Sequence, residues 1–108
     1  MRQGRVLFNQ DEAGIITEHD DGSYTFHYHD TWVMNPKKPA ISLTLPKQTL
    51  EFKNRTLFSF FYNMLPEGTN KQSICLELKI DPNDHFGLLL ASAQYDTIGA
   101  VTLETLQD

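Results

Sequence analysis

The residues that could do chemistry are few and scattered. His27 and His29 stand two apart in a segment that alternates like a strand, so both imidazoles share one face. Two ligands at that spacing can share a metal. No Cys, His or carboxylate motif elsewhere completes such a set, and a solvated outer strand face is the plainer reading. Asp84-His85 suggests acid–base work, but an Asp at the head of an apolar run is the ordinary N-cap of a helix, which leaves His85 in the first turn. Ser42, Ser59, Ser73 and Ser92 have no nucleophile-elbow context. Tyr24, Phe26 and Tyr28 could stack single-stranded bases. The acidic balance of the chain opposes that, and an aromatic core face is favoured. There is no Gly-rich phosphate loop, no His-Arg-Asp and no Asp-Phe-Gly, so a kinase of the usual pattern is excluded. No catalytic residue, cofactor or metal is expected.

The elements that would position these groups change character midway. Arg5 to Phe8 and Ala13 to Glu18 read as short strands around a turn-like Asn9-Gln10-Asp11-Glu12. Asp20-Asp21-Gly22 is a strong turn signal, since Asp-Gly supplies the positive φ of a tight hairpin. Ser23 to His29 alternates, with Tyr24, Phe26 and Tyr28 on the inner face. His29 to Asn35 fits one helical turn capped by Asp30, with Trp32 beneath it. Ala40 to Leu45 alternates again, with Ile41, Leu43 and Leu45 inward, and Pro46 ends it.

The second half reads as helical. Asn54 is a candidate N-cap, and Leu57, Phe60, Phe61, Met64 and Leu65 follow the spacing of a core stripe. Pro66 stops that helix and Gly68 lets the chain turn. A second helix is predicted over 70–79, with Ile74, Cys75 and Leu78 inward. Asp81-Pro82 separates it from a third. That one is capped by Asp84 and runs to about Ala93, with Phe86, Leu89, Leu90 and Ala93 inward. Gly99 to Leu103 is a last strand, and Glu104 to Asp108 a frayed tail. The result is one α+β domain over residues 1–108. It has a small curled antiparallel sheet, a meander plus a C-terminal return strand, with about three helices packed to one side.

At 108 residues the chain is one domain by length and large enough for a single core. Nine basic against fourteen acidic residues give a net charge of −5, which argues against binding a phosphate backbone. Cys75 is the only cysteine, so no intramolecular disulfide forms, and an inert core thiol is expected. No apolar run resembles a signal peptide or a membrane span, and a reducing cytoplasmic home is expected.

The segment Leu57 to Gly68 carries more apolar surface than one stripe requires. Phe58 and Tyr62 sit four apart, beside the Leu57–Phe61–Leu65 row. Either this helix is buried on two sides, or the ridge and the following Leu65-Pro66-Glu67-Gly68 turn contact a partner. Leu65, Pro66, Glu67, Gly68, Thr69 and Asn70, with Phe58 and Tyr62, are the candidate partner-binding residues.

Several blocks occur in a telling order: Ile41-Ser42-Leu43-Thr44-Leu45-Pro46, Leu57-Phe58-Ser59-Phe60-Phe61, Met64-Leu65-Pro66-Glu67-Gly68, Asp84-His85-Phe86-Gly87-Leu88-Leu89, and Asp96-Thr97-Ile98-Gly99-Ala100-Val101. As a set they resemble the N-terminal subdomain of HipA-type serine/threonine kinase toxins, over essentially the whole chain. Ala93-Gln94-Tyr95 departs from that pattern, where family members often place Gly. In the family the subdomain precedes a kinase core. A chain ending just after it resembles HipS, the small antitoxin of tripartite HipBST toxin–antitoxin systems. The resemblance implies a non-catalytic protein that binds and neutralises a HipT/HipA-type kinase in trans. A HipB-like helix-turn-helix DNA-binding protein would complete the complex. The alternatives are a subunit that supports a split kinase, a single-stranded nucleic-acid binder using the Tyr24/Phe26/Tyr28 face, and a segment of a full-length kinase.

Overall fold

A computed structural model describes residues 1–93 and 100–106. Two tight turns decide which segments pair. Asn9 and Gln10 both take positive φ, 48° and 71°. Their twist suits a two-residue hairpin, here between β1 (Arg2–Phe8) and β2 (Asp11–Glu18). The turn predicted at Asp20-Asp21-Gly22 is present: Gly22 takes φ +88°, and Asp21 Oδ1 accepts the Ser23 N–H at 2.9 Å. It leads into β3 (Tyr24–Tyr28).

Among the described residues the sheet has five strands in the order β4-β3-β2-β1-β5, with β4 at Glu51–Asn54, β5 at Val101–Leu106 and every neighbour antiparallel. The open sheet with its helices is the α+β architecture expected from sequence, and the last strand returns beside β1. Four helices accompany it among the described residues: α1 (Asp30–Met34), α2 (Ser59–Tyr62), α3 (Gly68–Leu78) and α4 (His85–Ser92).

The core lies on one face of the sheet. Val6, Ile16, Phe26, Tyr28 and Leu103 are buried there with Phe61 of α2 and Phe86 and Leu89 of α4. The aromatics meet edge to face, Phe26 on Tyr28 at 4.8 Å and Tyr24 on Phe86 at 5.7 Å. Asp84 caps α4 as predicted, its Oδ1 accepting the Gly87 N–H at 3.1 Å. The same carboxylate takes both Arg2 Nη groups, at 3.0 and 2.7 Å, and so ties α4 to the first strand. Arg2 also donates to Glu18 at 2.8 Å and lies over the Phe86 ring.

Several expectations are corrected. Ala40 to Leu45 is not a strand: only Ser42 and Leu45 bridge each other, and Leu43, expected inward, is fully exposed. The cause is Tyr28. Its buried hydroxyl donates to Leu45 O and accepts from Ile41 N–H at 3.1 Å, which folds the chain into a loop. Asn54 is not an N-cap, because Glu51–Asn54 pairs with β3 instead. The long helix predicted after it shrinks to the single turn of α2, with Phe58 in the cap position. His29, not Asp30, occupies the N-cap of α1, although Trp32 is buried as expected. Leu78 of α3 points outward. The tail is not frayed through Leu106, since β5 continues to that residue opposite Gln3. Gln94 to Gly99, with the predicted Asp96-Thr97 approach, lies outside the described residues.

Two checks follow from this frame. An added Cβ at Gly14 would stand 2.3 Å from the His27 carbonyl oxygen and 3.0 Å from Tyr28 Cα, so β2 and β3 would have to part. At Gly4 its one tight contact would be a Leu90 methyl, 2.7 Å away, which can move, with Glu104 O and an Ile16 methyl at ordinary distances of 3.4 and 3.5 Å. Gly14→Ala should therefore cost about 1–3 kcal/mol in urea unfolding and Gly4→Ala clearly less.

The second check concerns Asp84. Arg2's hydrogen bonds hold its carboxyl below the ordinary value, against partial burial, and the Gly87 N–H adds to the lowering. A depressed folded-state value means that the contribution is present above the unfolded carboxylate value of about 4 and lost as pH falls through the folded one. Asp84→Asn keeps a cap but loses the charge. Its stability deficit should be largest near neutrality and vanish in acid, whereas Asp84→Ala should lose about a further 1 kcal/mol with the cap.

Candidate partner-binding surface

The segment richest in surplus apolar surface divides when it folds. Phe58 is 8% exposed and stacks edge-on against Phe61 at 6.2 Å. Phe61 is fully buried, with Phe60 on its other side at 5.1 Å and Phe26 beneath at 5.9 Å. Phe58 thus belongs to the core. Tyr62, four residues on, is 51% exposed. Its ring stands nearly perpendicular to His85 of α4, with centroids 5.4 Å apart. Thr56, Leu57, Ser59, Asn63 and these two rings line a groove of ≈ 360 Å³. The single turn of α2 explains the division: it is too short to bury both ridges.

The chain then leaves the core stepwise. Met64 and Leu65 pack partly buried against its edge, and Pro66 is half-buried. Glu67 is extended and exposed, and it occupies the N-cap position of α3 without a side-chain cap bond. Gly68 takes φ +60°, and an added Cβ there would meet nothing within 4 Å, so backbone conformation alone favours glycine. Thr69 and Asn70 are exposed in the first turn of α3. Tyr62 and the run from Leu65 to Asn70 therefore form the accessible part of the predicted set, whereas Phe58 lies in the core against Phe61.

Sequence reasoning missed the apolar surface that follows. In α3 only Cys75 is buried and Ile74 is half-buried, while Leu76 is 81% exposed and Leu78 is exposed as well. Lys79 ends the helix in the left-handed region, with its N–H on Cys75 O. The signal was present in Leu76 and Leu78, which lie two apart and cannot both face one core.

The other candidate chemistry does not assemble. His29 bonds Glu12, whereas His27 is exposed, and no metal-holding group of side chains occurs among the described residues. Asp84 is occupied by its cap and by Arg2. Ser59 shares a groove with His85, but no hydrogen bond joins them. Tyr24, Phe26 and Tyr28 are buried, so these three rings form a core face and cannot stack nucleic-acid bases. Burial, followed by the Glu18 acceptor, pushes the Tyr24 phenol up to about 12, and burial raises that of Tyr28. No helix among the described residues is long and apolar enough to cross a membrane.

Comparison with known proteins gives this arrangement a family. The HipA N-terminal domain model matches residues 4–104. A solved structure titled "N-terminal domain of HipA toxin" superposes with a TM-score of 0.74 at 26% identity, over 99% of this chain and 94% of that one. An uncharacterized protein of Haemophilus influenzae is 30% identical over 104 residues, which are 96% of this chain and 92% of that protein. Two proteins of Sinorhizobium fredii bear the names "Putative kinase Y4mE" and "Putative kinase Y4dM". They are 29% and 31% identical over 71% and 84% of this chain. The match spans only 18% and 24% of their lengths. The matched unit is a HipA N-terminal domain and not the catalytic kinase domain, and this chain belongs to the HipA N-terminal domain family.

Proposed function

We propose that this chain is a cytoplasmic, non-catalytic binding module that docks on a HipT/HipA-type serine/threonine kinase in trans and neutralises it as an antitoxin. One observation carries the reading. The same domain makes up nearly all of the Haemophilus influenzae relative, yet it is a minor part of two proteins with kinase names. A domain found both alone and within such chains is suited to meet the rest of the kinase as a separate molecule. The half-exposed Tyr62 beside the accessible Leu65–Asn70 run offers an aromatic anchor, a residue type enriched in interface hot spots. A HipB-like helix-turn-helix protein would bind the resulting pair and bring it to DNA.

The presence of the domain inside the two Sinorhizobium proteins also favours a second reading, in which it supports kinase activity. The sign of one assay separates the two. Co-expression with a HipT/HipA-type kinase should relieve that kinase's toxicity and yield a co-purifying complex, and the purified chain should lower phosphorylation. A rise in phosphorylation would establish the supporting role instead, and no co-purification would refute both.

Within the complex, Tyr62→Ala should weaken binding about tenfold while barely changing the melting temperature, because its ring is half in water. Phe58→Ala should instead lower stability by about 3–5 kcal/mol, as expected for a buried aromatic. Calorimetric titration and thermal melts of the two variants check this.

A further inference from the structure

The sheet ends at β4, and the hydrogen bonding of that strand fixes which of its groups are unused. Tyr28 N–H donates to Leu50 O at 2.9 Å. Antiparallel pairing alternates, so Leu50, Phe52 and Asn54 turn their backbone groups toward β3. Glu51 and Lys53 turn theirs outward, and no backbone partner meets them among the described residues. The opposite edge is partly closed, since Leu103 N–H of β5 is taken by Ala93 O.

The side chains of this edge are self-complementary. Glu51 and Lys53 stand on the outer face of the sheet, one on each side of Phe52, with the Lys53 ammonium 3.6 Å from the Glu51 carboxylate. A reversed copy of the strand, centred on Phe52, sets Glu51 opposite Lys53 of the second copy and Lys53 opposite its Glu51. Both outward-facing backbone pairs fall in the same register, because Glu51 and Lys53 are also the residues whose N–H and C=O groups turn away from β3. On the inner face, half-buried Phe52 meets its own copy, and Leu50, 41% exposed, gains cover beside it. Charges on an edge strand often serve only to prevent such pairing. Two opposite charges placed symmetrically about a neutral centre do the reverse for an antiparallel copy.

We propose that β4 is a self-pairing edge, through which two copies of this chain join about a two-fold axis at Phe52 into one continuous antiparallel sheet. The proposal does not depend on any kinase partner. A four-residue edge with its flanks is smaller than the ~800 Å² per partner of a standard interface, so the dimer is a weak one, populated at high protein concentration.

Analytical ultracentrifugation from low micromolar to millimolar protein tests it. The unaltered chain should rise from monomer toward twice the monomer mass. Glu51→Lys and Lys53→Glu each turn both cross-strand ion pairs into repulsions, so each variant alone should associate at least about tenfold more weakly. Mixed in equal amounts, these two variants should recover association as a one-to-one heterodimer. The doubly exchanged chain, E51K with K53E, should recover it by itself. Both positions are exposed, so thermal melts should stay close to those of the unaltered chain. A chain that remains monomeric throughout, or association indifferent to the single exchanges, or a mixture no better than its components, overturns the proposal.

Discussion

The constraint on which most of this structure turns is the burial of Tyr28. Its ring is fully enclosed, between Phe26 at 4.8 Å and Phe52 at 6.3 Å. A phenol placed so deep must find partners for its hydroxyl, because an unpaired buried polar group costs about 1–3 kcal/mol. It finds them in Leu45 O and Ile41 N–H. The 39–46 segment therefore closes over the ring as a loop and does not add a strand. Lys47 secures the same loop by reaching Asn35 O at 2.7 Å and Lys38 O. On the other side of β3 the strand partner must be Gly14, because nothing larger fits against the His27–Tyr28 backbone. The Tyr28 side chain thus shapes the loop, while the backbone of the same residue sets the tight contact with Gly14 and pairs with Leu50 where β4 begins.

What could be read from the sequence follows from how local each signal is. The turn at Asp20-Asp21-Gly22 was legible from its own residues, and the first turn was legible at Asn9-Gln10, although Asp11 and Glu12, read as part of it, belong to β2. So were the inward face of β3 and the cap of α4, which depend on alternation and on a single Asp. Ala40 to Leu45 misled because its alternation is real: Ile41 and Leu45 are buried. What places Leu43 in water is a hydroxyl from another strand, and no pattern inside the segment records it. β4 escaped for a related reason. Glu51-Phe52-Lys53-Asn54 buries only part of Phe52, so an edge strand of this kind looks like any polar stretch.

The candidate site was half legible. The excess of apolar residues between Leu57 and Leu65 was visible in the sequence, but which of them face water depends on where α2 stops. The helical spacing predicts two long ridges. The structure allows one turn, after which Asn63 to Leu65 continue as a turn held by Met64 N–H on Phe61 O and Leu65 N–H on Tyr62 O. Pro66 follows directly and can donate no further backbone hydrogen bond. The early stop moves Phe58 into the core and leaves Tyr62 at the rim.

The same logic explains why α3 draws so little support from the core. An isolated helix of eleven residues is marginal in water. Burial of Cys75 and part of Ile74 returns little of the cost of ordering it, and its first turn lacks a side-chain cap. The exposed Leu76 and Leu78 represent apolar surface that the fold does not use. Each such side chain contributes about 1.5–3 kcal/mol once it is removed from water. A partner that covers one of these faces therefore stabilises the helix and gains affinity through the same contact. Because α3 begins at Gly68, this weakly supported helix overlaps the Leu65–Asn70 run, and elements that respond to binding are commonly drawn from such parts.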